Sequence, residues 1–301
     1  MKQILITGAS GFVGSRLSKA FLSKGDAVIG IGTSHQHPTI DEDDQFTWVS
    51  ADTRHQGEWQ DNVPQADVII NLAGRNIFTL WTQKCKQAIY DSRVLTTRHL
   101  VQAMDEGKNQ TFLTTSAVGI YGDRKDDLLV EDNPPGQGYL SQVCKDWESE
   151  GLAARNKGAR VCVMRFGVVL GRQGALAKMV PAFKMFAGGP LGTGRQWFPW
   201  IHIKDVEQAV LFLMEDTKLD GIFNFNAPGV VRQKMFASVL GKALHRPAFV
   251  PAPAFMVKTV LGELGSAFLE SQRATPAHLT DSGYSFSFET VAEALADLFD
   301  K

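Results

Sequence analysis

Residues 4–17 read ILITGASGFVGSRL, an apolar run broken by glycines at 8, 11 and 14 and followed at once by a helix-like stretch. A chain gives up side chains where its backbone must turn sharply or lie close against something. Here the pattern Gly8-x-x-Gly11-x-x-Gly14 stands directly after a strand-like run and opens a helix. In that setting glycine permits the tight turn, lets the backbone approach a pyrophosphate and lets the helix pack against the strand. The free N–H groups and dipole of the helix start favour the phosphate charge. The spacing therefore predicts a dinucleotide over this turn, with Gly8, Gly11, Phe12, Val13 and Gly14 as its contacts.

Outward from the turn, short β-rich runs recur at 3–7, 27–32, 46–50, 68–72, 111–115 and 160–166. Stretches such as 13–22 and 82–104 carry apolar residues at three- and four-residue spacing, as amphipathic helices do. The run DVIINLAG at 67–74 is apolar without alternation, which marks a strand buried on both faces. Strand–helix alternation of this kind predicts an α/β fold, a Rossmann doubly wound parallel sheet with helices on both faces. From about Arg172 the rhythm gives way to GGPLGTGRQWFPWIH at 188–202 and, later, to Pro247, Pro251, Pro253 and Pro276. The expected organisation is a nucleotide-binding domain over 1–171, joined by segments from about 200–230, and a smaller C-terminal substrate lobe over 172–301.

A dinucleotide enzyme selective for NAD ordinarily ends its second strand with an acid that holds the ribose hydroxyls. Here that strand ends IGIGTSHQH at 29–37. Thr33 and Ser34 stand where the acid would repel a 2′-phosphate, which favours NADP(H). Asp52, after the third strand, has the type and place to accept a hydrogen from the adenine amino group, and a solvated loop aspartate reads equally well.

The chain has 301 residues, 31 basic against 32 acidic, and a formal net charge of −1. No lysine–arginine block stands out, so nucleic acid is not an expected partner. No apolar run reaches the length of a membrane span, and the N-terminus lacks a signal-peptide core. Cys85, Cys144 and Cys162 are odd in number and far apart, matching neither a disulfide framework nor a zinc-ligand pattern. We expect a cytoplasmic protein, monomer or homodimer, with a small-molecule partner.

The segments TGASGFVG at 7–14, NLAG at 71–74, TTSAVGIYGD at 114–123, RFGVVLG at 165–171, WIHIKDV at 200–206 and FNFNAPG at 223–229 resemble the short-chain dehydrogenase/reductase superfamily, in its extended epimerase-like branch. FPWIHIKD and SQRATPAHLTDSGYSFSF resemble a narrower group known as epimerase-family proteins. The resemblance implies bound NADP(H) and an oxidoreductase or epimerase activity on a small substrate, sugar nucleotides among the possibilities. It places Leu72, Ala73 and Gly74 beside the adenine ribose and Ser116 at the catalytic hydroxyl. It also puts Arg93 on a helix that faces the cofactor. Tyr121 reads first as a structural tyrosine and second as a substrate contact, and Arg195, among Trp197, Phe198 and Trp200, is a candidate substrate contact.

The superfamily's proton donor is a tyrosine four residues before a lysine on one helix, the lysine lowering the phenol pKa. Here the stretch is GQGYLSQVCKDWESE at 136–150. Tyr139 stands six residues before Lys145, about 120° away on a helix. A second register aligns Glu148 with an acid often found past the lysine and puts Leu140 and Cys144 in the dyad positions. Tyr139 reads as an acid that precedes the helix or as an aromatic lid. The missing dyad keeps open a second function, an NADPH-binding redox sensor with little turnover. His202 and Asp205 read as structural, with Asp205 expected to cap the helix after 202.

Overall fold

A computed structural model describes residues 1–300. Its centre is a seven-stranded sheet of β1 (Gln3–Thr7), β2 (Ala27–Gly32), β3 (Phe46–Ser50), β4 (Val68–Asn71), β5 (Thr111–Ala117), β6 (Arg160–Phe166) and β7 (Gly221–Phe225). The spatial order is 3-2-1-4-5-6-7 and every pairing is parallel. The order reverses between β1 and β4, where Ile4 of β1 pairs with Val68. Such a switch point opens a crevice at the carboxyl ends of the strands.

The parallel strands are continuous apolar runs because successive side chains enter two different cores. On β1, Ile4 and Ile6 join Leu17 and Phe21 of α1 (Phe12–Ser23), while Leu5 joins Leu100 and Val101 of α2 (Gln83–Ala103). Thr82 caps α2 by accepting the Cys85 amide at 3.2 Å. The next helices are α3 (Tyr139–Leu152), α4 (Gly174–Lys184) and α5 (Ile203–Glu215). A third core joins Leu176 and Phe183 of α4 to Trp200, Phe236 of α6 (Gln233–Ala243) and residues 291–298.

Asp205 is buried and does not cap α5, as the sequence had suggested. His202 does so, Nδ1 accepting the Lys204 amide at 3.2 Å. The Asp205 carboxylate is instead taken by the amides of Ser287 at 2.7 Å and Phe288 at 3.1 Å, with the Tyr284 hydroxyl 3.3 Å away. Leu279 and Tyr284 thereby become part of the core beneath the sheet. Among the described residues no helix is long and apolar enough to cross a membrane.

Candidate active site

The glycine turn closes against β4. Gly8 has φ +68°, and a Cβ there would stand 2.8 Å from the Leu72 carbonyl oxygen. A Cβ on Gly14 would stand 2.3 Å from the Gly8 oxygen, so α1 packs too close to the turn for any other residue. Phe12 turns away to cover Gly171 and Gly174, and Val13 packs into the core. No side chain caps the start of α1 at Gly11. Its first-turn N–H groups are left for an anion, as a pyrophosphate site requires.

His37 was not singled out in the sequence, yet it ties this turn to the loop after β2. It is buried, Nε2 donates to the Ala9 carbonyl at 3.1 Å and Nδ1 accepts the Thr39 amide at 3.2 Å. Burial lowers its pKa, and the ring stands edge-on to Phe46 and Trp48. Thr33 and Ser34 are exposed at the end of β2. The Ser34 hydroxyl donates to the Gln36 carbonyl at 2.9 Å, while its own carbonyl accepts Trp48 Nε1. Asp52 is held by Arg54, whose Nε approaches Oδ1 at 2.9 Å and lowers the carboxyl pKa.

At the exit of β4, Asn71 is fully buried and bonded to Thr7, Thr97 and Thr114. Thr7 Oγ1 in turn accepts the Ala73 amide at 3.3 Å, which fixes the path of residues 72–74. Arg93, from α2, lies under Gly74, its guanidinium carbon 3.1 Å from where a Cβ would be. Nη1 donates to the carbonyls of Arg75 and Ile89, both at 3.1 Å, and the guanidinium stacks 5.4 Å from the Trp147 ring. No carboxylate among the described residues pairs with it, and burial lowers its pKa. A desolvated cation with neutral partners can receive an anion or a row of hydroxyls.

The packing of α3 shows where each candidate residue of the helix stands. Tyr139 is its first residue and does not precede it, so Tyr139 and Lys145 diverge as the spacing indicated. The Tyr139 hydroxyl donates to the Lys86 carbonyl at 2.5 Å and its ring stands edge-on to Trp81. Burial pushes the phenol up to about 12. The face turned to β5 carries Leu140 against Gly119, buried Cys144, and Glu148. In the register that aligns Glu148, Leu140 and Cys144 fall at the dyad positions, on the same face as the bond from Ser116. Burial pushes the Cys144 thiol up to about 11, which leaves it an inert apolar group.

Ser116 is 3% exposed and donates its proton to Glu148 Oε1 at 2.6 Å, so what it can offer a ligand is a lone pair. Arg165 grips the same carboxylate through Nε and Nη2, both at 2.8 Å. Burial works against the Arg165 charge, but the hydrogen bonds and attraction of Glu148 outweigh it and hold the guanidinium above its ordinary pKa. Tyr121 is a correction to the substrate-contact reading. It is fully buried, accepts Arg165 Nη1 at 2.9 Å and donates to Asn224 Oδ1 at 2.8 Å, so it supports this network instead of lining a cleft. Arg195 is exposed. The cations over Trp197 are those of Arg232, at 4.0 Å, and Arg273, at 4.8 Å.

Beside α3 lies a cavity of about 160 Å³ lined by Trp81, Tyr139, Leu140, Ser141, Glu263 and Glu270, among others. A wider groove of about 1120 Å³ follows α1 and α5 past Arg16, Lys19 and Glu207, and meets the glycine turn only through Ser10 and Phe12.

Glycine turn, switch-point crevice and the α3 face beside β5 together define a Rossmann protein of the extended short-chain dehydrogenase type. The chain belongs to the NAD dependent epimerase/dehydratase family, whose model matches residues 4–225. Residues 252–298 match a second model, a domain of unknown function (DUF1731). The chain is 36% identical to the epimerase family protein SDR39U1 homolog, chloroplastic, of Arabidopsis thaliana, over 97% of this chain and 85% of that protein. It is also 36% identical to the epimerase family protein YfhF of Bacillus subtilis, covering 98% and 97%. The crystal structure of human epimerase family protein SDR39U1 (isoform 2) with NADPH superposes with a TM-score of 0.86 at 28% identity, covering 99% of both chains.

Proposed function

We propose that the protein binds NADP(H) along the switch-point crevice and acts as an oxidoreductase or epimerase on a small substrate held beside α3. The observation that carries this reading is the turn at Gly8–Gly14, where backbone touches backbone and the uncapped start of α1 faces the crevice. The residues present suit a dinucleotide. Gly11 to Gly14 would receive the pyrophosphate, Leu72 to Gly74 would flank a ribose, and Thr33 and Ser34 would meet a 2′-phosphate with no acid to repel it. The human relative crystallised with NADPH supports the phosphorylated form of the cofactor. When bound, the cofactor supplies a hydride acceptor and donor. The chain's part is to orient it, with Arg93 below Gly74 as the fixed charge nearest the crevice floor.

A second reading, an NADPH-binding redox sensor with little turnover, draws on one observation: Tyr139 and Lys145 stand six residues apart on α3 and not four. Both readings require the cofactor. Calorimetric titration should show NADPH binding about tenfold tighter than NADH, a difference of about 1.4 kcal/mol. Gly11→Asp should abolish binding with the fold retained, because its carboxylate would stand against the pyrophosphate. Equal affinity of the wild type and Gly11→Asp would overturn both readings.

A further inference from the structure

In the register that aligns Glu148, with Leu140 and Cys144 at the dyad positions, the site lacks the expected proton donor on α3. The cavity that Leu140 lines holds another candidate, supplied by the C-terminal lobe. Glu270 shares that cavity with Tyr139, Leu140 and Ser141. Among the described residues its carboxylate has one hydrogen-bond partner, and that one is neutral, Gln272 Nε2 at 3.3 Å from Oε2.

The charged groups around it do not neutralise it. Glu263, across the cavity on α7 (Glu263–Ala267), is engaged by Lys86 of α2 at 2.8 Å. Asp123, from the loop after Tyr121, accepts the amides of Ser271 and Lys125, both at 3.2 Å, and adds negative charge. Tyr139, from α3, gives its proton to the Lys86 carbonyl. A carboxyl group in a cavity, without a cation and beside a like charge, has reason to hold its proton.

We propose that Glu270 is the proton-exchanging group of this cleft, doing from the C-terminal lobe what the absent tyrosine would do from α3. The proposal rests on the NADP(H) reading above. In a reduction, bound NADPH would supply the hydride, with its electron pair, to the substrate's carbonyl carbon and become NADP⁺. The carbonyl oxygen takes the proton that Glu270 gives up, and the carboxylate is reprotonated from solvent. In the oxidative direction the carboxylate takes the proton of the substrate hydroxyl. Burial, and after it the charge of Asp123, pushes the Glu270 carboxyl up to about 7, so both forms are populated at neutral pH.

The test needs no knowledge of the substrate. NADP⁺ and NADPH differ in charge at the nicotinamide ring, positive in the one and neutral in the other. A carboxyl near the ring must therefore titrate differently in the two complexes, and a carboxyl buried elsewhere must not. Protein labelled with ¹³C at the glutamate carboxyls is titrated by NMR in free, NADP⁺-bound and NADPH-bound forms. The Glu270 signal is identified by its loss in Glu270→Gln, or in Glu270→Asp should the amide unfold the chain. We expect a midpoint near 7 in the free protein, and one about half a pH unit or more lower with NADP⁺ than with NADPH. Equal midpoints in the two complexes, or a midpoint in the ordinary carboxylate range throughout, would overturn the proposal and leave cofactor binding standing. Absence of cofactor binding in the same samples would overturn both.

Discussion

The two ends of the crevice are built from different materials. At the nucleotide end the contacts are main chain: the Gly8 turn against Leu72, the Gly14 approach to Gly8, and the uncapped start of α1. Around Ser116 the contacts are side chains in a closed network of Glu148, Arg165, Tyr121 and Asn224, each hydrogen-bonded to the next. Backbone geometry is set by glycines that can be read off a sequence. Side-chain networks are set by which helix face meets which strand, and one residue of register changes every partner. The nucleotide end thus keeps a recognisable pattern, while at the other end Tyr139 and Lys145 stand six residues apart on α3 instead of four.

The network around Ser116 makes the strongest claim on stability, so the largest effect is expected there. Arg165→Met leaves the buried Glu148 without its cation and should cost about 3–5 kcal/mol in urea unfolding. NADPH affinity, measured at a temperature where the variant is folded, should change little. A large loss of affinity with little loss of stability would show that the network belongs to the cofactor site and that the contrast between the two ends is mistaken.

At the nucleotide end, Gly14→Ala forces a methyl group to 2.3 Å from the Gly8 oxygen. The backbone must give way, at a cost of about 1–3 kcal/mol in stability. NADPH affinity should fall with it, since the turn that shifts is the one that receives the pyrophosphate. Unchanged affinity in calorimetry would mean that the turn does not set the cofactor's position.

Arg93 joins the two regions, and its replacement separates a structural charge from a functional one. Arg93→Met removes a desolvated cation that has no carboxylate partner, so stability should hold or rise. NADPH affinity should drop about tenfold, about 1.4 kcal/mol, through the lost charge-assisted contacts. A destabilised variant with full affinity would make Arg93 a structural strut. The smallest effect is expected at Lys145, which is 120° around the helix from Tyr139. Lys145→Ala should leave NADPH affinity and any turnover within about twofold, because no phenol depends on its charge. A loss of turnover well beyond that with the fold intact would restore the Tyr139–Lys145 dyad.

Most of the sheet was legible in the sequence for a physical reason. Strands buried on both faces are largely apolar runs, and β1, β2 and β6 fall where those runs fall, while the edge strand β3 alternates buried and exposed residues. Helix α2 begins where Thr82 can cap it. What escaped the sequence depends on contacts between distant segments. Nothing near Glu270 in the chain announces that it shares a cavity with Leu140, and nothing near Asp205 announces the amides of Ser287 and Phe288. The two registers of α3 are equally helical in isolation, and what favours the one that aligns Glu148, its bonds from Ser116 and Arg165, comes from distant segments. Tyr121 is the structural tyrosine of its two readings, and what separates a buried tyrosine from a cleft tyrosine lies in Asn224, about a hundred residues later.

The clasp of Asp205 on the segment around Tyr284 has a consequence for biosynthesis. Leu279 and Tyr284 complete the core on one side of the sheet, yet they are translated after all seven strands. A nascent chain that has already emerged through β7 still shows water an apolar flank on α5 and an unsatisfied carboxylate at Asp205. The nucleotide-binding half therefore cannot finish folding on the ribosome ahead of the rest. Translation arrested before residue 279 should yield an exposed, chaperone-dependent intermediate instead of a stable smaller protein.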